Sequence, residues 1–154
     1  FEKNVVGVAS ELRAIESLKN LGYEIHRHTN PDAGGHPDFV LKYGDAEWLV
    51  EHKRASKTSY ADGSFRLEFQ KTRTSKGDPS SRFYDSSWCH IVSIDVSEHT
   101  DISDDKRFVL TKNLKRHDKY PNKINDLNRE SNLWHKTLQE AIEELMETPS
   151  RRSK

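Results

Sequence analysis

The 154-residue sequence contains one cysteine, Cys89, so no internal disulfide braces it, and a reducing, cytoplasmic setting is expected. It has no apolar run near the roughly 18 residues that a membrane-crossing helix needs, which excludes a spanning segment of that kind. Phe1 opens a charged segment rather than a signal peptide, so secretion is not expected either. An initiator methionine is missing, which fits a chain trimmed or excised from a longer protein. Large aliphatic residues are also scarce. Leu, Ile, Val and Phe together number 33, about a fifth of the chain, and the mean hydropathy is −0.95. The core should be thin, yet 25 basic and 25 acidic side chains cancel, and a neutral chain of this length reads as one folded domain rather than a disordered one. That domain is placed at residues 1–148, with 149–154 as a frayed basic tail.

The missing net charge hides a segregation along the chain. Residues 1–52 carry −4, 53–82 carry +5, 85–105 carry −6, 106–123 carry +6, 124–148 carry −4 and 149–154 carry +3. Basic blocks of this size are either solvated faces or grips for a polyanion, and their position relative to the reactive residues decides which reading has weight.

Val8, Leu12, Ile15 and Leu18 recur at helical spacing up to about residue 20, and Gly22 follows as a stop signal. Tyr23 to His28 alternates as a half-buried strand does. Phe39-Val40-Leu41 and Trp48-Leu49-Val50 flank a tight turn at Gly44-Asp45 and read as a hairpin. Residues 55–64 and 72–82 read as mobile loops around a short element at Phe65 to Lys71. Cys89 to Val96 and Arg107 to Thr111 read as two more strands, separated by an acidic loop from Ser97 to Asp105. Leu133, Trp134, Thr137, Leu138, Ala141, Ile142 and Leu145 repeat as a closing helix. Trp88 and Trp134 fall within apolar patterns and are assigned to the core.

Within the hairpin, Asp38 stands at the start of one strand and Glu51-His52-Lys53 at the end of the other, with twelve residues between Asp38 and Glu51. Side chains alternate along a strand, so Glu51 and Lys53 project from one face and His52 from the other. Antiparallel pairing about Gly44 brings Asp38 opposite Glu51 and Lys53. Two carboxylates beside an ammonium group suit a hard cation such as Mg²⁺ next to a positioned water. Glu11 falls on the apolar stripe of the first helix, where a carboxylate needs a partner, and this cluster supplies one. The alternatives are that Glu11 lies at the stripe's margin and reaches solvent, or that Glu16 is the helical carboxylate in play.

Pro37-Asp38 followed by Glu51-His52-Lys53 resembles the PD-(D/E)xK motif of restriction-endonuclease-like nucleases. Ser10-Glu11, Leu18, Leu21-Gly22-Tyr23 and Ile25-His26-Arg27 resemble the first helix and strand of archaeal Holliday-junction resolvases and several restriction enzymes. The likeness covers roughly residues 7–56 and, more loosely, Phe69-Gln70-Lys71. It implies an α/β fold with a restriction-endonuclease-like mixed central sheet flanked by helices. It also implies Asp38 and Glu51 as metal ligands together with the His52 carbonyl, Lys53 as the catalytic lysine, and Glu11 as an outer or second-metal ligand. The cofactor implied is Mg²⁺, with Mn²⁺ able to substitute. The sequence departs from the junction resolvases in having Asn30 to His36 where they carry a serine-rich hairpin loop, which counts against junction specificity.

The function expected is therefore metal-dependent endonucleolytic hydrolysis of DNA, site-specific in the restriction or homing manner. A structure-specific junction resolvase and a non-catalytic nucleic-acid-binding module of the same fold are the alternatives. His36 is a candidate for touching phosphate or water. Gln70, Lys71, Arg73, Lys76 and Arg82 in the first basic block, with Lys112, Lys115 and Arg116 in the second, are the candidate DNA contacts. His26, His28 and His36 lie near one another in sequence, but without further cysteines they make a weak case for zinc. A duplex has two strands to cut, so a homodimer is the default expectation.

Overall fold

A computed structural model describes residues 2–27, 38–69 and 77–152. The first helix, α1, runs from Glu2 to Asn20 and ends as the glycine signal predicts. Gly22 takes φ +96°, its N–H donates to the Lys19 carbonyl, and the Tyr23 N–H reaches back to Leu18, which is the paired closure that a left-handed glycine permits. The chain then enters β1 (Glu24–Arg27), β2 (Phe39–Tyr43) and β3 (Ala46–Arg54). After β4 (Arg66–Glu68) come β5 (Ile91–Asp95), the short helix α2 (Ser97–Thr100), β6 (Lys106–Leu110), β7 (Leu127–Arg129) and the closing helix α3 (Leu138–Arg152).

The expected mixed sheet flanked by helices is present. Its order is β1-β2-β3-β5-β6, with β3 and β5 parallel and the other pairs antiparallel. One face carries Ile25, Phe39, Leu41, Val50 and Ile91 against Ala14, Ile15 and Leu18 of α1 and Ala141 and Ile142 of α3. The other face carries Val92, Ile94 and Val109 under a layer of turns in which β4 and β7 form a two-stranded sheet of their own. Because both faces are covered, β3 buries three successive residues, Val50, Glu51 and His52.

Several sequence expectations change. Leu12 is 49% exposed, because Ala14, Ile15 and Leu18 set the packed stripe of α1 and Leu12 falls outside it. Leu133 and Trp134 precede α3 rather than opening it. Leu133 is exposed, while Trp134 enters the second core from a turn held by the Phe108–His135 bridge. The strand β7 gave no alternating apolar signal, since Leu-Asn-Arg pairs only with the equally short β4. The 55–64 segment is pinned, with Ser56 N–H bonded to the Arg66 carbonyl and the Arg129 guanidinium 4.0 Å from the Tyr60 ring centre. In addition, α3 continues through residues 149–152, into the expected tail. None of the described helices is long and apolar enough to cross a membrane.

The β2–β3 hairpin turns at Gly44, which holds φ +59° with open space where a Cβ would stand. A side chain there meets no obstacle, so substitution isolates the cost of the left-handed backbone. Gly44→Val should lower unfolding free energy by about 1–2 kcal/mol, while Gly44→Asn, which tolerates that conformation, should lose much less. Urea unfolding of the two variants checks this; equal stabilities would contradict it.

Candidate active site

The hairpin register pairs Phe39 with Val50, which sets Asp38 beside Glu51 at the end of the sheet. Two hydrogen bonds fix the pair. The Asp38 N–H donates to Glu51 Oε1 at 3.2 Å, and the His52 N–H donates to Asp38 Oδ2 at 3.0 Å. Glu51 is buried, and Lys53, two residues on, shares its face. The Lys53 ammonium lies 4.8 Å from the ring centre of Tyr84 and 5.5 Å from that of Phe69, with Tyr84 Oη 3.5 Å away. Those rings hold the lysine tip without neutralising it. Glu11 comes from α1, where it pairs with Arg27 Nη2 at 3.7 Å and lies close enough to Asp38 to share a hydrogen bond.

Three carboxyl groups thus converge on one end of the sheet, and their protonation shows the strain. Glu51 is pushed up to about 8, first by burial and then by the Asp38 charge, against the opposing pull of Lys53 and Trp88. Glu11 is pushed up to about 7, again by burial first and Asp38 second, with Arg27 offsetting part of the effect. The cluster is short of positive charge and its donors are hard oxygens, which is the chemistry that a Mg²⁺-type ion completes. As the side chains stand, no three His, Cys, Asp or Glu groups among the described residues converge as they do around a bound ion.

The structure brings Glu11, Asp38, Glu51 and Lys53 together. Glu16 is exposed on another side of α1, in a cleft with Arg13 and Asn20. His28, His36, Gln70, Lys71, Arg73 and Lys76 lie outside the described residues, as does the side chain of Arg82. Lys115 and Arg116 are exposed on the arm that returns through Ile124, whose N–H bonds the Tyr84 carbonyl, so they belong to the Lys53 face. Lys112 is exposed just beyond β6, within electrostatic reach of Glu144 of α3. Trp88, assigned to the core, packs there but also faces Glu51.

Sequence reasoning missed Tyr84 and Arg27. Arg27 was within reach, being the cation at the end of the strand beside Glu11. Tyr84 was not, because it arrives from a turn 31 residues beyond Lys53. Also unforeseen is an aromatic group where the arm of Lys115 and Arg116 meets Phe83. The rings of Phe83 and His117 lie 4.4 Å apart, His117 and Tyr120 lie 5.0 Å apart, and the Lys119 ammonium sits 5.6 Å from the Tyr120 ring centre.

No protein-family model matches the sequence, and no curated protein does either. Among solved structures, the fold is similar to that of a bacterial homing endonuclease, I-Ssp6803I, with a TM-score of 0.60 at 13% sequence identity. The likeness covers 100% of this chain and 99% of that one, and at such low identity it is a likeness of fold.

The raised carboxyl groups set a pH dependence. Above pH 4.5 an unfolded Glu ionises while folded Glu11 and Glu51 keep their protons until about 7 and 8, so their contribution to stability is lost as pH rises through that window. Buried His52, lowered to about 4, acts in the opposite sense between 4 and 6.5, which leaves 6.5 to 8 as the clean interval. Without divalent ions, thermal stability should fall across that interval, and Glu51→Gln should flatten the slope. A wild-type midpoint that stays level or rises from pH 6.5 to 8 would show that these carboxyl groups do not crowd one another.

Proposed function

We propose that this protein is a metal-dependent endodeoxyribonuclease of the PD-(D/E)xK kind, site-specific in the restriction or homing manner. The observation that carries the reading is the meeting of Glu11, Asp38 and Glu51 beside Lys53 at one end of the sheet. It stands in a fold whose full-length likeness is to a bacterial homing endonuclease, and that likeness favours the homing-type reading over a junction resolvase.

Asp38 and Glu51 would hold the ion, with Glu11 able to join them, and Mg²⁺ there would polarise the phosphate and make bound water more acidic. Asp38 Oδ2 is oriented by the His52 N–H and Glu51 Oε1 by the Asp38 N–H, so neither carboxylate needs to search for its position. Lys53, stacked on Tyr84 and Phe69, offers an ammonium that offsets charge on the scissile phosphate and directs water toward phosphorus. Tyr84 Oη, close to the same ammonium, restricts its rotamers. Lys115 and Arg116 would neutralise phosphates on the flanking duplex, a role that also suits the basic block at 70–76. Two such chains acting on opposite strands, as a homodimer, would account for a double-strand cut.

Asp38→Ala and Glu51→Ala should each abolish Mg²⁺-dependent plasmid cleavage while DNA binding persists, since less negative charge then faces the phosphates. Lys53→Ala should slow cleavage by orders of magnitude, and Lys53→Arg should not rescue it, because a planar guanidinium does not fit where a compact ammonium stands. Plasmid nicking and linearisation with Mg²⁺ or EDTA, alongside gel-shift titrations, read both properties. Cleavage within tenfold of wild type in Asp38→Ala would sink the assignment.

A further inference from the structure

On the α1 side of β3, directly behind Glu51, four polar side chains form a chain of hydrogen bonds that the proposed chemistry does not use. Ser93 Oγ lies 3.0 Å from His52 Nδ1, His52 Nε2 lies 2.8 Å from Ser10 Oγ, and Ser10 Oγ donates to Asp95 Oδ2 at 2.7 Å. Ser10, His52 and Ser93 are all buried. A hydroxyl has one proton, so Ser10, having given it to Asp95, accepts from His52. That fixes the imidazole as the Nε2–H tautomer, and Nδ1 then accepts from Ser93. Every donor has an acceptor, and the chain runs in one direction toward a carboxylate.

The same set of residue types serves elsewhere as a nucleophilic triad, and the surroundings rule that use out here. The cleft bounded by Ser10, Ala14, His52, Asp95 and Lys106 has no room even for water, so no substrate carbonyl reaches Ser10. The network's geometry points another way. His52 bonds one site carboxylate directly and stands next in chain or in space to the residues that carry the other two. It follows Glu51 in the chain, its own N–H holds Asp38 Oδ2, and its ring holds Ser10, the residue immediately before Glu11 on α1.

We infer that Ser10 and His52 are positioning residues that lock α1 to β3 and so set Glu11 against Asp38 and Glu51. This inference rests on the nuclease reading of the site. Ala14, Ile15 and Leu18 hold α1 to the sheet by non-directional apolar contacts, and the hydrogen-bonded chain across α1, β3 and β5 adds a directional tie at Ser10, next to Glu11.

The test compares Ser10→Ala with Leu18→Ala, which loosens the same helix through its core contact and leaves the network intact. Ser10→Ala should lower kcat on the order of tenfold to a hundredfold, as expected for a displaced catalytic group, with KM for DNA within about twofold of wild type. It should also weaken Mg²⁺ binding measured by calorimetry. Leu18→Ala should lose thermal stability while keeping kcat, and His52→Gln, which retains an N–H toward Ser10, should keep more activity than His52→Ala. Ser10→Ala with kcat within twofold of wild type, or a matching loss of kcat in Leu18→Ala, overturns the inference and leaves the nuclease reading standing. A wild-type chain that neither cleaves DNA nor binds Mg²⁺ overturns both.

Discussion

The pairing of Phe39 with Val50 across the β2–β3 hairpin sets Asp38 against Glu51, and the rest of the candidate site depends on that register. A slip of one residue would turn Glu51 and Lys53 to the α1 side and bring His52 to the turn-covered side, exchanging a carboxylate and an ammonium for a neutral ring. Two main-chain N–H groups, of Asp38 and His52, bond the carboxylates that face them and make the slip costly. The left-handed turn at Gly44 supplies the geometry at the other end of the hairpin.

That register gathers charges that repel one another. Burial and the Asp38 carboxylate raise Glu51 and Glu11 together, while Lys53 and Arg27 supply only part of the compensation. Such an arrangement is unfavourable for folding and favourable for capturing a cation, the familiar exchange at functional sites in which local cost is covered by stable surroundings. The surroundings here are two apolar layers, one under α1 and α3 and one under the turns that deliver Phe69, Tyr84 and Trp88. The second layer also shapes the environment of Lys53, so the turn-rich half of the chain contributes to the site as much as the hairpin does.

Much of this was legible in the sequence because it was carried by local pattern. Gly22 announced the end of α1, Gly44-Asp45 announced the hairpin, and period-two alternation put Glu51 and Lys53 on one face and His52 on the other. What escaped was decided by contacts between distant segments. Leu12 looked like a core residue by spacing and is exposed because only part of α1 touches the sheet. Strands β4 and β7 are three residues each and exist by virtue of pairing across about sixty residues of chain. Tyr84 and the Ser10–His52–Asp95 chain carry no motif, since a hydroxyl or an imidazole acquires its role only when the fold brings its partner within hydrogen-bonding reach.

The most direct measurement is anomalous diffraction from crystals grown with a DNA duplex and Mn²⁺ above pH 8, where Glu11 and Glu51 are ionised. A manganese peak coordinated by carboxylate oxygens of Asp38 and Glu51, on the side facing Lys53, is the predicted result. Manganese bound elsewhere on the complex, with those two carboxylates still held only by the main-chain N–H groups of Asp38 and His52, would contradict the account.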